Sequence, residues 1–137
     1  MNLIVDVGNS LVKMAVFDNG KIISYRKIPN ADYAKNVKSI FAEYVLIQNA
    51  IVSNVGGMSH EEIAMLCVFC KVHVLSHTSK TPFKNSYATP QTLGVDRIAL
   101  ATAAFYHNPK GNTLVIDAGT CVTYDAVNDY GEYLGGA

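Results

Sequence analysis

The 137-residue sequence has no excess of charge of either sign and no long apolar run, and these deficits rule out several kinds of protein. Basic and acidic residues number 11 each, so the composition indicates neither a nucleic-acid-binding surface nor a membrane-surface segment. No apolar stretch approaches the ~20 residues of a membrane-spanning helix. The first residues enter a predicted strand without the basic and apolar regions of a secretion signal, so we expect a cytoplasmic protein.

Cysteine is also scarce, and the three present form no complete metal-binding or disulfide pattern. Cys67 and Cys70 form a Cys-x-x-Cys pair, but a zinc ribbon needs a second pair. Both lie in a predicted helix, three residues apart, so we expect buried thiols in preference to a metal or redox site. The four histidines share no ligand spacing and are assigned no role.

The most informative feature that the sequence does contain is an internal repeat. Residues 4–11 recur as residues 115–122, each an apolar run followed by Asp-x-Gly-[Asn/Thr]-x and a second apolar run. Both copies read as hairpins, and the first ends in Asn19-Gly20, a strong hairpin signal. Two matching hairpins predict a duplicated fold whose halves face each other across a nucleotide.

The residue types in this repeat suit phosphate binding. A glycine in the turn lets the backbone approach a ligand, and neighbouring N–H groups can point at phosphate oxygens. The strand-end carboxylates, Asp6 and Asp117, can each hold a hydrated cation beside those phosphates. The alternative is that Asp-x-Gly is only a turn, and two copies in phase disfavour it.

The remaining pattern predicts an α/β fold with a mixed sheet. Asp32 is expected to cap one helix, and Ser59 is expected to open another with a capping box. The order β-β-β-α-β-α-β is that of an RNase H-like lobe, which actin-like kinases and ATPases share. The predicted elements are strands over 3–7, 11–17 and 21–27, a helix over 32–44 with apolar Val37, Ile40, Phe41 and Val45, a strand over 49–53, a flexible loop over 54–57, a helix over 59–69 and a strand over 71–75.

We expect the chain to divide into two lobes after residue 112. Residues 1–112 would include a long polar loop over 76–93, of a length typical of functional segments, and a helix over 96–106. Residues 113–137 would begin a second lobe. Because the first copy of the repeat continues much further than the second, we expect a truncated second lobe. The alternative is a naturally short protein with a spare hairpin, whose edges would need covering.

A second informative stretch runs from Tyr87 to Arg97. Gly94 permits an unusual turn, and Asp96 and Arg97 follow at the start of a helix, whose N–H groups favour anions. The aspartate can accept a hydroxyl proton, and the arginine can bind a carboxylate or a phosphoryl group through two donors. Taken alone, the pattern is more typical of an N-cap aspartate, an exposed arginine and a packing tyrosine.

Taken together, the motifs resemble the type III pantothenate kinases, bacterial enzymes of the acetate and sugar kinase/Hsp70/actin superfamily. The Tyr87 to Arg97 motif is specific to that family, whereas the Asp-x-Gly motifs indicate only the superfamily. The matching elements are Asp6-Val7-Gly8-Asn9-Ser10 with Lys13, Tyr87-x-x-Pro90-x-x-Leu93-Gly94-x-Asp96-Arg97, Asp117-Ala118-Gly119-Thr120, and Gly135-Gly136-Ala137.

The resemblance implies phosphorylation of the 4′-hydroxyl of pantothenate by ATP, the first step of coenzyme A synthesis, with Asp96 as the general base. It also implies magnesium, positioned in part by Asp6, and a potassium or ammonium ion on Asp117. Members of the family are homodimers with sites at the subunit interface. The implied pantothenate-binding residues are Tyr87, Gly94, Val95, Asp96 and Arg97. The implied ATP-binding residues are Asp6, Val7, Gly8, Asn9, Ser10, Leu11, Val12, Lys13, Gly119 and Thr120.

Two other functions stay open. One is another kinase or ATPase of the same superfamily, which the Tyr87 to Arg97 motif disfavours. The other is a non-catalytic nucleotide-binding regulator, which the intact Asp6, Asp96 and Asp117 disfavour. Because the second lobe is expected to be incomplete, we expect the isolated chain to have little activity.

Overall fold

The computed structural model describes residues 1–137, which form two units, Met1–Leu75 and Ser76–Ala137. Residues 76–112 therefore belong to the same unit as the second hairpin. The predicted division into lobes after residue 112 follows the repeat, and it stays a prediction.

The first unit is a five-stranded mixed sheet with two helices. The strands β1, β2 and β3 form an antiparallel meander, while β4 pairs with β1, and β5 with β4, in parallel. The sheet order is β3-β2-β1-β4-β5, and the predicted order β-β-β-α-β-α-β is confirmed. The elements are β1 (Asn2–Val7), β2 (Leu11–Asp18), β3 (Lys21–Pro29), α1 (Tyr33–Glu43), β4 (Asn49–Asn54), α2 (His60–Cys67) and β5 (Lys71–Val74).

The core of this unit lies on one face of the sheet. Alternate residues of the central strands point to that face, as the period of two in a strand requires. They form one buried cluster with helix residues; its members include Leu3, Val5, Val7, Val12, Met14, Val16, Val37, Ile40 and Leu66. Asp6 and Lys13 occupy the intervening positions, so the core fixes the opposite face as the one that carries them.

Two local predictions in this unit are confirmed. Asn19 and Gly20 both have positive φ, 48° and 76°, as a two-residue hairpin turn of the primed type requires. Ser59 caps α2: its hydroxyl accepts from the backbone N–H of Glu62, whose side chain in turn accepts from the N–H of Ser59. Both features depend on neighbouring residues only, which explains why the sequence predicts them.

The predicted bounds of α1 are confirmed to within one residue, but the predicted capping bond is not formed. Asp32 occupies the N-cap position, at the end of a short 3-10 turn, Asn30–Asp32, and its side chain makes no capping hydrogen bond. The helix begins at Tyr33, which is buried and donates its hydroxyl to the Glu62 carbonyl at 2.9 Å. This long-range contact holds the first turn. The helix ends at Glu43, so the prediction that Val45 belongs to its apolar face was wrong, because Val45 lies outside the helix and is exposed.

The predicted burial of both Cys-x-x-Cys thiols was also wrong. The helix α2 ends at Cys67, so a spacing of three no longer places the two residues on one helical face. Cys67 is exposed, whereas Cys70 is half-buried against the core. Burial, and then the neighbouring Cys67, raises the pKa of the Cys70 thiol.

The second unit is a four-stranded sheet with one helix. The sheet order is β6-β9-β8-β7, and α3 packs on β7 and β8. The predicted loop over 76–93 contains β6 and a short 3-10 turn, Pro90–Thr92. The elements are β6 (Lys84–Asn85), α3 (Val95–His107), β7 (Thr113–Ala118), β8 (Val122–Val127) and β9 (Glu132–Gly136). None of the three helices has the length and apolar character needed to span a bilayer.

The two copies of the repeat form similar hairpins with different pairing registers. Asp6 pairs with Lys13 in the first hairpin. In the second, Asp117 pairs with Thr123, one residue before Tyr124, which the repeat aligns with Lys13. Because side chains alternate along a strand, this one-residue shift changes which side chains of β8 share a face with Asp117.

One face of the second sheet is apolar and exposed. By register, it carries Leu114, Ile116, Val122 and Tyr124, which are 46–64% exposed. The repeat aligns the first two with Leu3 and Val5, which are fully buried in the first unit. The helix α3 covers the other face of the second sheet, where Val127 and Tyr133 are buried.

The buried Tyr33 predicts a loss of stability at high pH. Burial, and then the charge of Glu62, raises the pKa of its hydroxyl above the ordinary value of 10.0. Above pH 10 the unfolded chain loses this proton while the folded chain keeps it. The free energy of unfolding therefore falls by up to ~1.4 kcal/mol per pH unit for this group. Tyr33→Phe should show a shallower fall between pH 9 and 11 in urea unfolding followed by circular dichroism. Tyr25→Phe, at an exposed site, should match the unsubstituted chain; equal slopes in all three would contradict the prediction.

Candidate active site

The first Asp-x-Gly motif lies at the turn between β1 and β2. The Gly8 N–H donates to the Leu11 carbonyl at 2.9 Å, which closes the turn and leaves Asn9 and Ser10 exposed at its tip. On the last rungs before the turn, the Lys13 ammonium lies 3.9 Å from an Asp6 carboxylate oxygen. Both side chains are about half exposed, 50% and 41%, so water screens this ion pair and leaves the ammonium accessible to an anion.

Ser53 flanks Asp6 on its other side, on the parallel strand β4. Its hydroxyl oxygen is buried and has no hydrogen-bond partner in the protein. A buried hydroxyl without a partner is unfavourable, and a ligand or a water can satisfy it. Carboxylate oxygens and water are the ligands that magnesium prefers. The pair Asp6 and Ser53 therefore fits a hydrated magnesium ion, which is the ion predicted for Asp6.

The loop after β4 is hydrogen-bonded to the end of β1, directly before this turn. The N–H groups of Val55 and Gly56 both donate to the Val7 carbonyl at 3.1 Å. The Asn54 side chain accepts from and donates to the backbone of Met58, at 3.0 and 2.9 Å. Asn54 belongs to β4, so the prediction of a loop was wrong at that residue. The bonds of Val55 and Gly56 are long-range, since they join the loop to the end of β1. The flexibility of residues 55–57 stays a prediction.

The Tyr87 to Arg97 motif lies in the second unit and leads into α3. The N-cap of this helix is Gly94, and Asp96 is its second residue, so the alternative of an N-cap aspartate was wrong. An Asp96 carboxylate oxygen accepts from the Arg97 N–H at 2.9 Å. A Cβ on residue 94 would lie 2.5 Å from that same oxygen. Gly94 therefore leaves the space into which the carboxylate folds.

Arg97 is held by a carboxylate that the sequence analysis did not single out. Its Nε donates to Asp125 at 2.9 Å and its Nη2 at 2.7 Å, both to Oδ1. Asp125 is 1% exposed, and the Arg97 side chain is 18% exposed, so the alternative of an exposed arginine was also wrong. The hydrogen bonds to Asp125 raise the pKa of the Arg97 guanidinium further.

Tyr133 joins Tyr87 to this ion pair. The Tyr133 hydroxyl donates to Asp125 Oδ1 at 2.6 Å. Its ring lies 6.1 Å from the Tyr87 ring, centroid to centroid. Gly135 gives the Tyr87 ring its space, because a Cβ there would lie 2.5 Å from a ring carbon, and its φ of +97° favours glycine. The structure thus brings Tyr87 and Arg97 together through β8 and β9.

The strand pattern around Asp125 indicates a buried charge. It lies in the apolar strand Val122–Val127, at the position that alternates with Val127 and Thr123. A charge on the buried face of a strand needs a partner of opposite sign. The long-range choice of Arg97 as that partner is not readable from local spacing. Gly56 had a similar signal, a Gly-Gly pair directly after a strand.

The second Asp-x-Gly motif forms an exposed turn at the end of β7. The Gly119 N–H donates to the Cys121 carbonyl at 3.0 Å, and Thr120 is exposed between them. Opposite Asp117, the Thr123 hydroxyl oxygen is buried and has no hydrogen-bond partner in the protein. An exposed carboxylate beside an unsatisfied hydroxyl fits the predicted monovalent cation. No group of three histidine, cysteine or acidic side chains is close enough to bind a metal ion by itself.

Comparison with known proteins identifies the family. The family model described as type III pantothenate kinase matches residues 2–137. The chain belongs to the type III pantothenate kinase family. A type III pantothenate kinase from Flavobacterium johnsoniae is 39% identical over 137 residues, which are 100% of this chain and 56% of that protein. One from Phocaeicola vulgatus is 37% identical over 139 residues, covering 99% and 56%. The chain thus spans about half the length of the curated pantothenate kinases it matches.

Solved structures confirm the actin-like α/β fold that the sequence predicts. A Campylobacter jejuni protein described as a Baf family transcriptional activator matches with a TM-score of 0.58 and 24% identity, over 98% of this chain and 52% of that one. A Porphyromonas gingivalis protein described as an N-acetylglucosamine kinase matches with a TM-score of 0.56 and 12% identity, over 100% and 47%. At these identities the two matches establish the fold alone.

Gly56→Ala should displace the first Asp-x-Gly turn of this chain. A Cβ on residue 56 would overlap the Gly8 carbonyl, which is backbone and cannot rotate away. We expect a loss of about 3 kcal/mol in the free energy of unfolding and shifted amide resonances for Gly8 and Asn9. Gly57→Ala is the matched control: a Cβ there meets open space, and only its φ of +78° opposes the change, at about 1 kcal/mol. Urea unfolding and amide NMR spectra decide, and equal effects of the two variants would refute the prediction.

Proposed function

We propose that the protein carrying this chain transfers the γ-phosphoryl group of ATP to the 4′-hydroxyl of pantothenate. The product, 4′-phosphopantothenate, begins coenzyme A biosynthesis. The observation that carries the proposal is the family match over residues 2–137, with the residues of all three motifs intact.

Asp96 is the proposed general base. Its carboxylate is half-buried at the first turn of α3, with Oδ1 held by the Arg97 N–H. The second oxygen, Oδ2, makes no hydrogen bond in the protein and is the atom proposed to accept the substrate hydroxyl proton. Phosphoryl transfer passes through a loose transition state, so this carboxylate mainly orients the hydroxyl and takes its proton late.

Arg97 and Tyr87 are the proposed contacts for pantothenate, together with Gly94 and the backbone of Val95. Pantothenate carries a carboxylate, and a guanidinium is a preferred partner for that group. Nε and Nη2 of Arg97 already donate to Asp125, which leaves Nη1 as the nitrogen most available to the substrate.

The two turns are the proposed binding sites for the phosphates of ATP. Residues 6–13 present a glycine turn, two small polar side chains and the Lys13 ammonium, while Gly119 and Thr120 present a second exposed turn. Asp6 would hold magnesium, and Asp117 would hold potassium or ammonium. When bound, these cations neutralise phosphate charge, which is the main requirement of this reaction.

The remaining parts of the proposal concern assembly and location. The family pattern supports a cytoplasmic homodimer with sites at the subunit interface. The equal numbers of basic and acidic residues support a small-molecule substrate, with no nucleic acid or membrane as partner.

The decisive experiment measures ATP turnover by a protein that carries this chain at the length of its curated relatives. We expect turnover to require pantothenate and to be at least tenfold faster in potassium than in sodium buffer. Pantothenate-independent hydrolysis would favour another ATPase of the superfamily. Nucleotide binding without any turnover would favour a regulator, and either result would refute the proposal.

Asp96→Asn should remove turnover and leave nucleotide binding intact. Loss of a general base lowers kcat by about 10²–10⁴-fold, while the Kd for ATP should change less than about twofold, because the proposed phosphate-binding residues are untouched. Asp32→Asn is a matched control, since Asp32 also stands at a helix start without a capping bond. Steady-state kinetics and calorimetric titration with ATP test this. Joint loss of ATP binding and of thermal stability would assign Asp96 a structural role instead.

Asp117→Asn should specifically abolish the response to monovalent cations. The amide keeps the shape of the side chain but not the charge that attracts the cation, so the ratio of kcat/KM in potassium to that in sodium should fall towards one. Asp129→Asn, in the exposed turn between β8 and β9, should retain the ratio of the unsubstituted enzyme. An unchanged potassium response in Asp117→Asn would show that the cation does not bind to this carboxylate.

A further inference from the structure

We infer that Asp125 is a positioning residue for substrate recognition: its buried carboxylate sets the orientation of Arg97 and, through Tyr133, the place of Tyr87. The inference rests on the proposed function, because it assigns Asp125 a role in binding the carboxylate-bearing substrate rather than in folding alone. Three observations carry it.

The first observation is the geometry of the guanidinium. Nε and Nη2 of Arg97 both donate to Asp125 Oδ1, at 2.9 and 2.7 Å, and Nε also lies 3.3 Å from Oδ2. A planar guanidinium held along one edge cannot rotate about its own axis. The remaining donors on Nη1 therefore point in a direction that Asp125 sets before any ligand arrives. Such preorganisation reduces the entropy lost when a ligand binds.

The second observation is that Asp125 itself has no freedom to move. It is 1% exposed, and its Oδ1 also accepts the Tyr133 hydroxyl at 2.6 Å. Tyr133 is fully buried, with its ring 5.8 Å from that of Phe83 and 6.1 Å from that of Tyr87. The Asp125 carboxylate is thus held in the core of the second unit, and it determines the position of the Arg97 guanidinium.

The third observation is that both ends of the Tyr87 to Arg97 motif contact the pair Asp125 and Tyr133. Tyr87 and Arg97 are the first and last residues of this motif, and a turn and the start of α3 separate them. Tyr87 rests on Tyr133 and over Gly135, while Arg97 binds Asp125. Both ends are therefore placed by one hydrogen-bonded pair, Asp125 and Tyr133.

Asp125→Asn tests the role in the protein that carries this chain at the length of its relatives. The amide keeps the volume but loses the charge, and one of its two positions becomes a donor that faces the guanidinium donors. We expect the KM for pantothenate to rise at least tenfold, with the KM for ATP unchanged within twofold. Asp129→Asn, an exposed acid of the same hairpin, should leave both constants unchanged. An unchanged KM for pantothenate in Asp125→Asn would overturn the inference.

A double substitution separates positioning from an independent effect. If Asp125 acts through Arg97, then adding Asp125→Asn to Arg97→Gln should change the KM for pantothenate less than twofold beyond Arg97→Gln alone. If the two effects multiply, Asp125 does not act through Arg97, and the inference is overturned.

Tyr133→Phe covers the case in which Asp125→Asn fails to fold, as judged by its thermal melt. It removes one hydrogen bond from Asp125 and keeps the ring, and we expect at least a threefold rise in the KM for pantothenate. Tyr33→Phe is the matched control, since it also loses one hydroxyl bond of a buried tyrosine, in the other unit. Equal KM values in the two variants would overturn the inference. Absence of pantothenate-dependent turnover in the unsubstituted protein would instead overturn the proposed function, so the two failures are distinguishable.

Discussion

The buried ion pair between Arg97 and Asp125 is the constraint on which the second unit depends. An unpaired carboxylate at 1% exposure would be strongly unfavourable, and three donors on one oxygen compensate it. Separating such a pair is strongly unfavourable, because it leaves a buried charge without its partner. A slip of β8 by one residue would place Asp125 on the exposed face and Tyr124 on the face of α3. The ion pair therefore favours the observed register of the second hairpin.

That register gives the two copies of the repeat different chemical neighbours. Asp6 has an ammonium opposite it, from Lys13, whereas Asp117 has an uncharged hydroxyl, from Thr123. A carboxylate beside an ammonium forms a balanced pair next to a turn suited to phosphates. A carboxylate opposite a hydroxyl is not balanced by a cationic side chain on the paired strand, which suits the monovalent cation proposed for Asp117. The repeat aligns Lys13 with Tyr124, but the pairing of the strands places Thr123, and not Tyr124, opposite Asp117.

The features that the sequence predicted correctly are local or belong to contiguous motifs: the order of strands and helices along the first unit, the Asn19-Gly20 turn and the Ser59 capping box. The family followed from motifs spread over the chain. The errors have a common cause in long-range packing. Tyr33, and not a side-chain cap from Asp32, ties the first turn of α1 to another element. Residues 55 and 56, predicted as part of a loop after β4, bond to the end of β1. Asp125 was missed for the same reason, since its partner lies on another element. The roles of the site residues stay predictions.

The placement of α3 links the fold to the candidate site. In the first unit, α1 and α2 cover the face that carries Leu3 and Val5, and Asp6 lies on the opposite face. In the second unit α3 packs on the face that carries Thr123 and Asp125. Asp117 pairs with Thr123, so the Asp117 carboxylate lies on this face too. A helix on this face brings its own first turn, with Asp96, to the side of the sheet that bears the strand-end carboxylate. Arg97 anchors that turn to β8 through Asp125. The ion pair that favours the register therefore also favours this face, and it places the Arg97 end of the Tyr87 to Arg97 motif.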